Sequence, residues 1–133
     1  MPQIYVSIAQ KGKTESTATA RTHNVTIDRS EAKGGTDNGA MGGEVFLMGL
    51  AGCFMSNLLA AINARELDIT NVAADLTAET VEKPLRFSEI DIAVTANYLD
   101  KKEMEKLIVI AERACLVANT LKDAVKLTVR LVN

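Results

Sequence analysis

Between Glu44 and Arg65 the chain runs EVFLMGLAGCFMSNLLAAINAR, with no charged residue inside those two ends. Most positions are apolar and most are good helix formers, with no β-branched run to interrupt them. A helix that is apolar nearly all round needs cover on nearly all sides. The stretch therefore predicts a central helix over 44–65 that the remaining elements wrap. One of the two cysteines, Cys53, lies near its middle.

Val45 to Ile62 is 18 residues without a charge, which reaches the lower edge of bilayer-spanning length. Ser56 and Asn57 interrupt it, Gly49 and Gly52 dilute it, and its flanks lack the Lys/Arg asymmetry of a membrane span. The stretch reads as a core helix, and no membrane partner is expected. The start, MPQIYVSIAQ, has neither a basic opening nor a long apolar run, so no secretory signal is expected.

The elements on either side follow from periodicity. Gln3 to Gln10 alternates with period two, and Glu15 to Asp28 reads as extended in two pieces, so residues 1–28 predict an N-terminal antiparallel sheet. The glycine-rich segment EAKGGTDNGAMGGE predicts a loop over 31–43. It lacks the GK[ST] of a phosphate loop, and Glu44 would place a negative charge at the helix start, where it suits the helix dipole. We read the loop as a flexible approach to the helix. Asn71 to Tyr98 predicts a strand pair broken at Lys83-Pro84. Asp100, with Glu103 three residues on, opens a second helix over 100–116. Its apolar stripe is Met104, Leu107, Ile108, Ala111, Ala114 and Cys115. A short further helical turn follows, then a last strand over 125–132. Strands and helices do not alternate, so the class is α+β. The length of 133 residues suits one domain. A chain with so few strands cannot cover the central helix by itself, and a homodimer is expected.

Charge and composition narrow the function. The net charge is −2 with Lys and Arg scattered, and there are two Tyr, three Phe and no Trp. Nucleic acid is not an expected partner. His23 is the one histidine, and the two cysteines form no close-spaced pair, so no metal site and no cofactor is expected. Two cysteines without an export signal suit a reducing, cytoplasmic setting. Packed helices lie about 8–10 Å apart with Cα atoms about 2.3 Å off each axis. Facing positions can then bring Cα atoms to about 4–5 Å, within disulfide range. The pair Cys53 and Cys115 is thus permitted to meet but not required to, since buried free cysteine is a common small core residue.

At GGEVFLMGLAGCFMSNLLAAI and AERACLVANTLKDAV the sequence resembles the OsmC/Ohr family. The likeness also takes in HNVTID, the GGTDNG loop, Glu44 nine residues before Cys53, and a lone second cysteine before the final strand. It implies an OsmC-like fold, an intertwined α+β homodimer with two central helices enclosed by antiparallel sheets. It further implies a thiol peroxidase that reduces organic hydroperoxides in oxidative stress defence. On that reading Cys53 is peroxidatic, Cys115 resolving, Glu44 the candidate carboxylate and Arg21 the nearest candidate for the activating guanidinium. A dithiol reductant, a small molecule or a lipoylated or other dithiol protein, would close the cycle. Four features depart from the peroxidase members: Ala40 to Gly43 stand where they usually carry a Pro just before the helix Glu, the Glu spacing resembles the OsmC-like branch more than the Ohr branch, Leu116 follows the second cysteine where they usually carry Pro, and no GGR-like motif is present. The alternative is an OsmC-like binding or stress-related protein with inert thiols.

Overall fold

The computed structural model describes all 133 residues as two compact units, Met1–Met48 and Gly49–Asn133. The first unit carries β1 (Ser7–Gln10), β2 (Ser16–Ala20) and β3 (His23–Ile27), joined in the order β1-β2-β3. Both pairings are antiparallel. Ile4 and Val6, expected at the head of the first strand, precede it and are exposed.

The loop after β3 is not the flexible approach expected from its glycines. The Asp28 carboxylate is buried and accepts four hydrogen bonds, from the Thr14 and Thr36 hydroxyls and from the Arg29 and Asn38 backbone N–H groups. Two glycines are needed because the loop lies against its own base. A Cβ at Gly35 would stand 2.1 Å from the Arg29 carbonyl oxygen, and one at Gly39 2.3 Å from that of Thr26. The glycines serve close backbone packing rather than looseness, and the carboxylate that ties the loop sits at the strand end before it.

The long helix α1 spans Gly42–Ala64. Its first turn is capped from within: Glu44 Oε1 accepts the Met41 N–H at 2.8 Å, one half of a capping box. The helix is long and apolar enough to cross a membrane by length and composition, and 28% of its most apolar window is buried. The expectation of cover on nearly all sides is therefore not met within one chain. One stripe is buried, Leu50, Phe54, Leu58, Ala61 and Ile62, while Met48 and Leu59 stay 58% and 41% exposed.

In the second unit β4 (Thr70–Val81) and β5 (Arg86–Asn97) form an antiparallel hairpin, and β6 (Lys126–Leu131) pairs with β5 in parallel. Among the pairings between strands, the antiparallel expectation thus holds for all but this last one. Two helices connect β5 to β6, and a connection of that length lets the chain return in the same direction. These are α2 (Lys101–Ala114), whose N-cap Asp100 accepts the Lys102 N–H at 3.0 Å, and α3 (Leu116–Leu121). Ile90, Ile92, Val94 and Ala96 alternate into the core with Met104, Leu107, Ile108 and Ala111 of α2. The α+β class is as expected.

Candidate functional site

Cys53 lies in the middle of α1, and its partner is not where the second helix was expected to hold it. The helix over 100–116 ends at Ala114, which is exposed, and Cys115 stands in the break. Its backbone is extended, φ −78° and ψ 111°, so it closes α2 and opens α3 at once. As N-cap of α3 its Sγ accepts the Ala118 N–H at 3.4 Å. The break has a local cause: a capping side chain needs a non-helical residue to carry it, and sulfur takes the place usually held by a hydroxyl or carboxylate.

That break turns Cys115 and the first N–H groups of α3 toward Cys53. The Cys115 thiol and the Val117 and Leu116 N–H groups are the neighbours that favour a negative Cys53 sulfur. The two sulfurs differ sharply in setting. Cys53 is half-buried, and Cys115 is fully buried. Burial pushes the Cys53 thiol up, but the Val117 N–H, the Cys115 thiol and the Leu116 N–H outweigh it, and the net direction is down. Burial pushes the Cys115 thiol up as well. The Ala118 N–H draws it back only in part, and a negative sulfur at Cys53 drives it further up. The arrangement is a half-buried thiol pushed down, backed by a buried thiol pushed up.

The lowering of Cys53 owes nothing to a side-chain cation: every group that shifts it belongs to the second unit and none is a guanidinium or ammonium. Donor hydrogen bonds favour an anion as a positive charge does, and N–H groups at the start of a helix also carry its partial positive charge. The other candidates lie in the first unit. Arg21 sits in the β2–β3 turn, exposed, with φ 57°. Glu44 is spent on the Met41 N–H. His23 opens β3 and is exposed.

One residue near the sulfur was singled out in the sequence only as an interruption of the apolar run. Asn57, four residues after Cys53, donates from Nδ2 to the Cys53 carbonyl at 2.9 Å and lies 4.0 Å from Cys53 Sγ. The signal was its i,i+4 spacing from the cysteine on a helix of otherwise apolar character.

The sequence profile of the OsmC-like protein family matches residues 35–130. No curated protein matches the sequence. Several solved structures do match in fold. A hypothetical protein from Aquifex aeolicus has a TM-score of 0.85 at 16% identity, over 99% of this chain and 96% of that one. A structure described as a putative osmotic stress induced and detoxification response protein from Psychrobacter arcticus has the same score at 19% identity, over 99% and 98%. The organic hydroperoxide resistance protein OhrB of Bacillus subtilis has a TM-score of 0.69 at 18% identity, over 98% of each chain. At such identities the structural likeness speaks for the fold, and it agrees with the profile that covers most of the chain: this protein belongs to the OsmC-like family.

Proposed function

We propose that the protein is a thiol peroxidase for organic hydroperoxides, with Cys53 as the attacking sulfur and Cys115 as the resolving one. The observation that carries this is the asymmetry of the pair. The reachable sulfur is the one whose thiol is lowered, and the buried sulfur beside it is the one held protonated. Structural cysteines in a common core would share one environment, and a reactive thiolate needs exposure and donors. Relatives of the same fold named for organic hydroperoxide resistance agree with the reading.

The steps balance as follows. The Cys53 thiolate attacks the outer peroxide oxygen and the O–O bond breaks. The alkoxide leaves and takes a proton from water. Cys53 is now a sulfenic acid, the first rung of sulfur oxidation. The Cys115 thiol attacks it, water departs, and the disulfide forms before a second peroxide can arrive. A dithiol, small or protein-borne, then returns both sulfurs by exchange and leaves as its own disulfide. The family resemblance adds Arg21 and Glu44 as the activating pair. The two sulfurs and the N–H groups of α3 supply the chemistry without them.

A homodimer belongs to the same reading. The uncovered side of α1 and the exposed Ile4, Tyr5, Val6 and Ile8 are apolar surface that a second copy would bury. Sedimentation at micromolar concentration is expected to give twice the chain mass.

The test is direct. Reduced protein treated with one equivalent of cumene hydroperoxide should lose two hydrogens per chain, with Cys53 and Cys115 linked in the peptide map. Hydroperoxide consumption should vanish in Cys53→Ser. No disulfide, together with consumption unchanged in that variant, overturns the reading and leaves a binding or stress-related protein with inert thiols.

A further inference from the structure

Asn57 is out of place by the logic of its own helix. Asparagine is among the poorer helix formers, and α1 is otherwise made of apolar and small residues across this stretch. Its amide has two hydrogens. One is fixed on the Cys53 carbonyl at 2.9 Å, which sets the orientation of the whole group. The same nitrogen stands 4.0 Å from Cys53 Sγ. That gap is long for a strong bond to sulfur. It is a gap that one oxygen added to the sulfur can bridge, bringing an acceptor to the ordinary N–H···O distance of about 2.9 Å.

We propose that Asn57 is a side-chain hydrogen-bond donor to the reacting group at position 53, weakly to the thiolate and more strongly to the oxygen of the sulfenic acid that replaces it. Its second hydrogen faces the sulfur because the first is spent on the carbonyl one turn back. The donor therefore follows the reacting sulfur without any movement of the helix. By holding the sulfenic oxygen it steadies the intermediate until the Cys115 thiol displaces it as water. The sulfenate half of this inference rests on the peroxidase reading; the thiolate half does not.

The bland role for such a residue is to bond the carbonyl four residues back and nothing more. A residue with that role alone affects helix stability and leaves the sulfur's titration where it was. The two roles separate in Asn57→Leu, which keeps the shape without donors, and Asn57→Asp, which keeps the shape and turns an acceptor toward the sulfur. Both are compared with the unmodified chain, with folding checked by circular dichroism. The first readout is the pH profile of iodoacetamide alkylation at Cys53. Loss of one hydrogen bond to an anion predicts alkylation at pH 7 about threefold slower in Asn57→Leu. It should be slower still in Asn57→Asp, with the profile displaced to higher pH in both. The second readout uses a Cys115→Ser background, treated with cumene hydroperoxide and then dimedone. There Asn57→Leu should give less dimedone adduct and more sulfinic acid. Unchanged alkylation profiles in both folded variants overturn the inference. If the Cys115→Ser chain gives no dimedone adduct even with Asn57 in place, the peroxidase reading fails instead. The alkylation profiles then still decide whether Asn57 serves the thiolate.

Discussion

Cys115 caps α3 with its sulfur, 3.4 Å from the Ala118 nitrogen, and presents its thiol to Cys53 from that fixed position. A helix cap is usually a stabilising detail. Here it fixes the second sulfur of the pair in a buried position, where burial and the neighbouring Cys53 outweigh the Ala118 N–H and push its thiol up.

Removing the cap should be felt at the other cysteine. Cys115→Ala deletes one donor to Cys53, and burial of Cys53 then counts for more. Alkylation of Cys53 at pH 7 is expected to slow by roughly threefold, since a hydrogen bond to a charged group is worth about 1.5 kcal/mol when buried and less when half-exposed. The sign is fixed: the thiol moves up, so the pH profile of alkylation moves to the alkaline side. A profile that stays in place shows that Cys115 does not hold the Cys53 anion.

Leu116→Pro separates reactivity from stability. Proline is well suited to the first position of a helix, and it wants an extended residue before it. Cys115 already has that conformation. The fold should therefore tolerate the change, with stability equal or higher by about 0.5 kcal/mol. The Leu116 N–H is lost, and with it one of the donors that lower Cys53. Thermal melting unchanged, with Cys53 alkylation slowed by about twofold or more at pH 7, is the expected result. The N–H account of the thiolate fails if alkylation is as fast as before.

Asp28 should make the acid stability of the glycine-rich loop visible. Hydrogen bonds from Thr36 and Thr14 outweigh burial and, with the Asn38 and Arg29 N–H groups, hold its carboxyl well below the usual carboxylate range. A depressed folded-state pKa means that the unfolded chain binds the proton more readily. The contribution is therefore complete above the unfolded value of about 4 and is lost as pH falls below it. Asp28→Asn keeps the size but loses acceptors. It is expected to lower the melting temperature at pH 7 by several degrees, and the gap from the unmodified chain should narrow as melts are taken from pH 5 toward pH 3.

The core side of α1 offers a plainer test. Phe54 follows Cys53 and is fully buried. Phe54→Ala should cost about 3–5 kcal/mol through lost transfer energy and the cavity left behind. Urea unfolding would show it as a lower midpoint at unchanged slope. A loss under 1 kcal/mol would show that the stripe from Leu50 to Ile62 is not the support of the cysteine-bearing turn.

The sequence alone determined what periodicity and local chemistry dictate. An uncharged run of good helix formers gives a helix, an alternating run such as Phe87 to Tyr98 gives a strand, and Asp100 opens a helix. The two candidate sulfurs were legible as well. Tertiary structure decided how the settings of the two sulfurs differ. The Cys115 break, the pointing of the Leu116 and Val117 N–H groups, and the difference in exposure arise from how α3 turns against α1, and no period in the sequence records that turn. The same holds for Asp28, whose donors come from positions 14, 29, 36 and 38 and meet only when the loop has closed over the strand end. Patterns along a chain report which face of an element is dry. A thiol's ionisation depends on which donors surround the sulfur, and that is a property of the packed molecule.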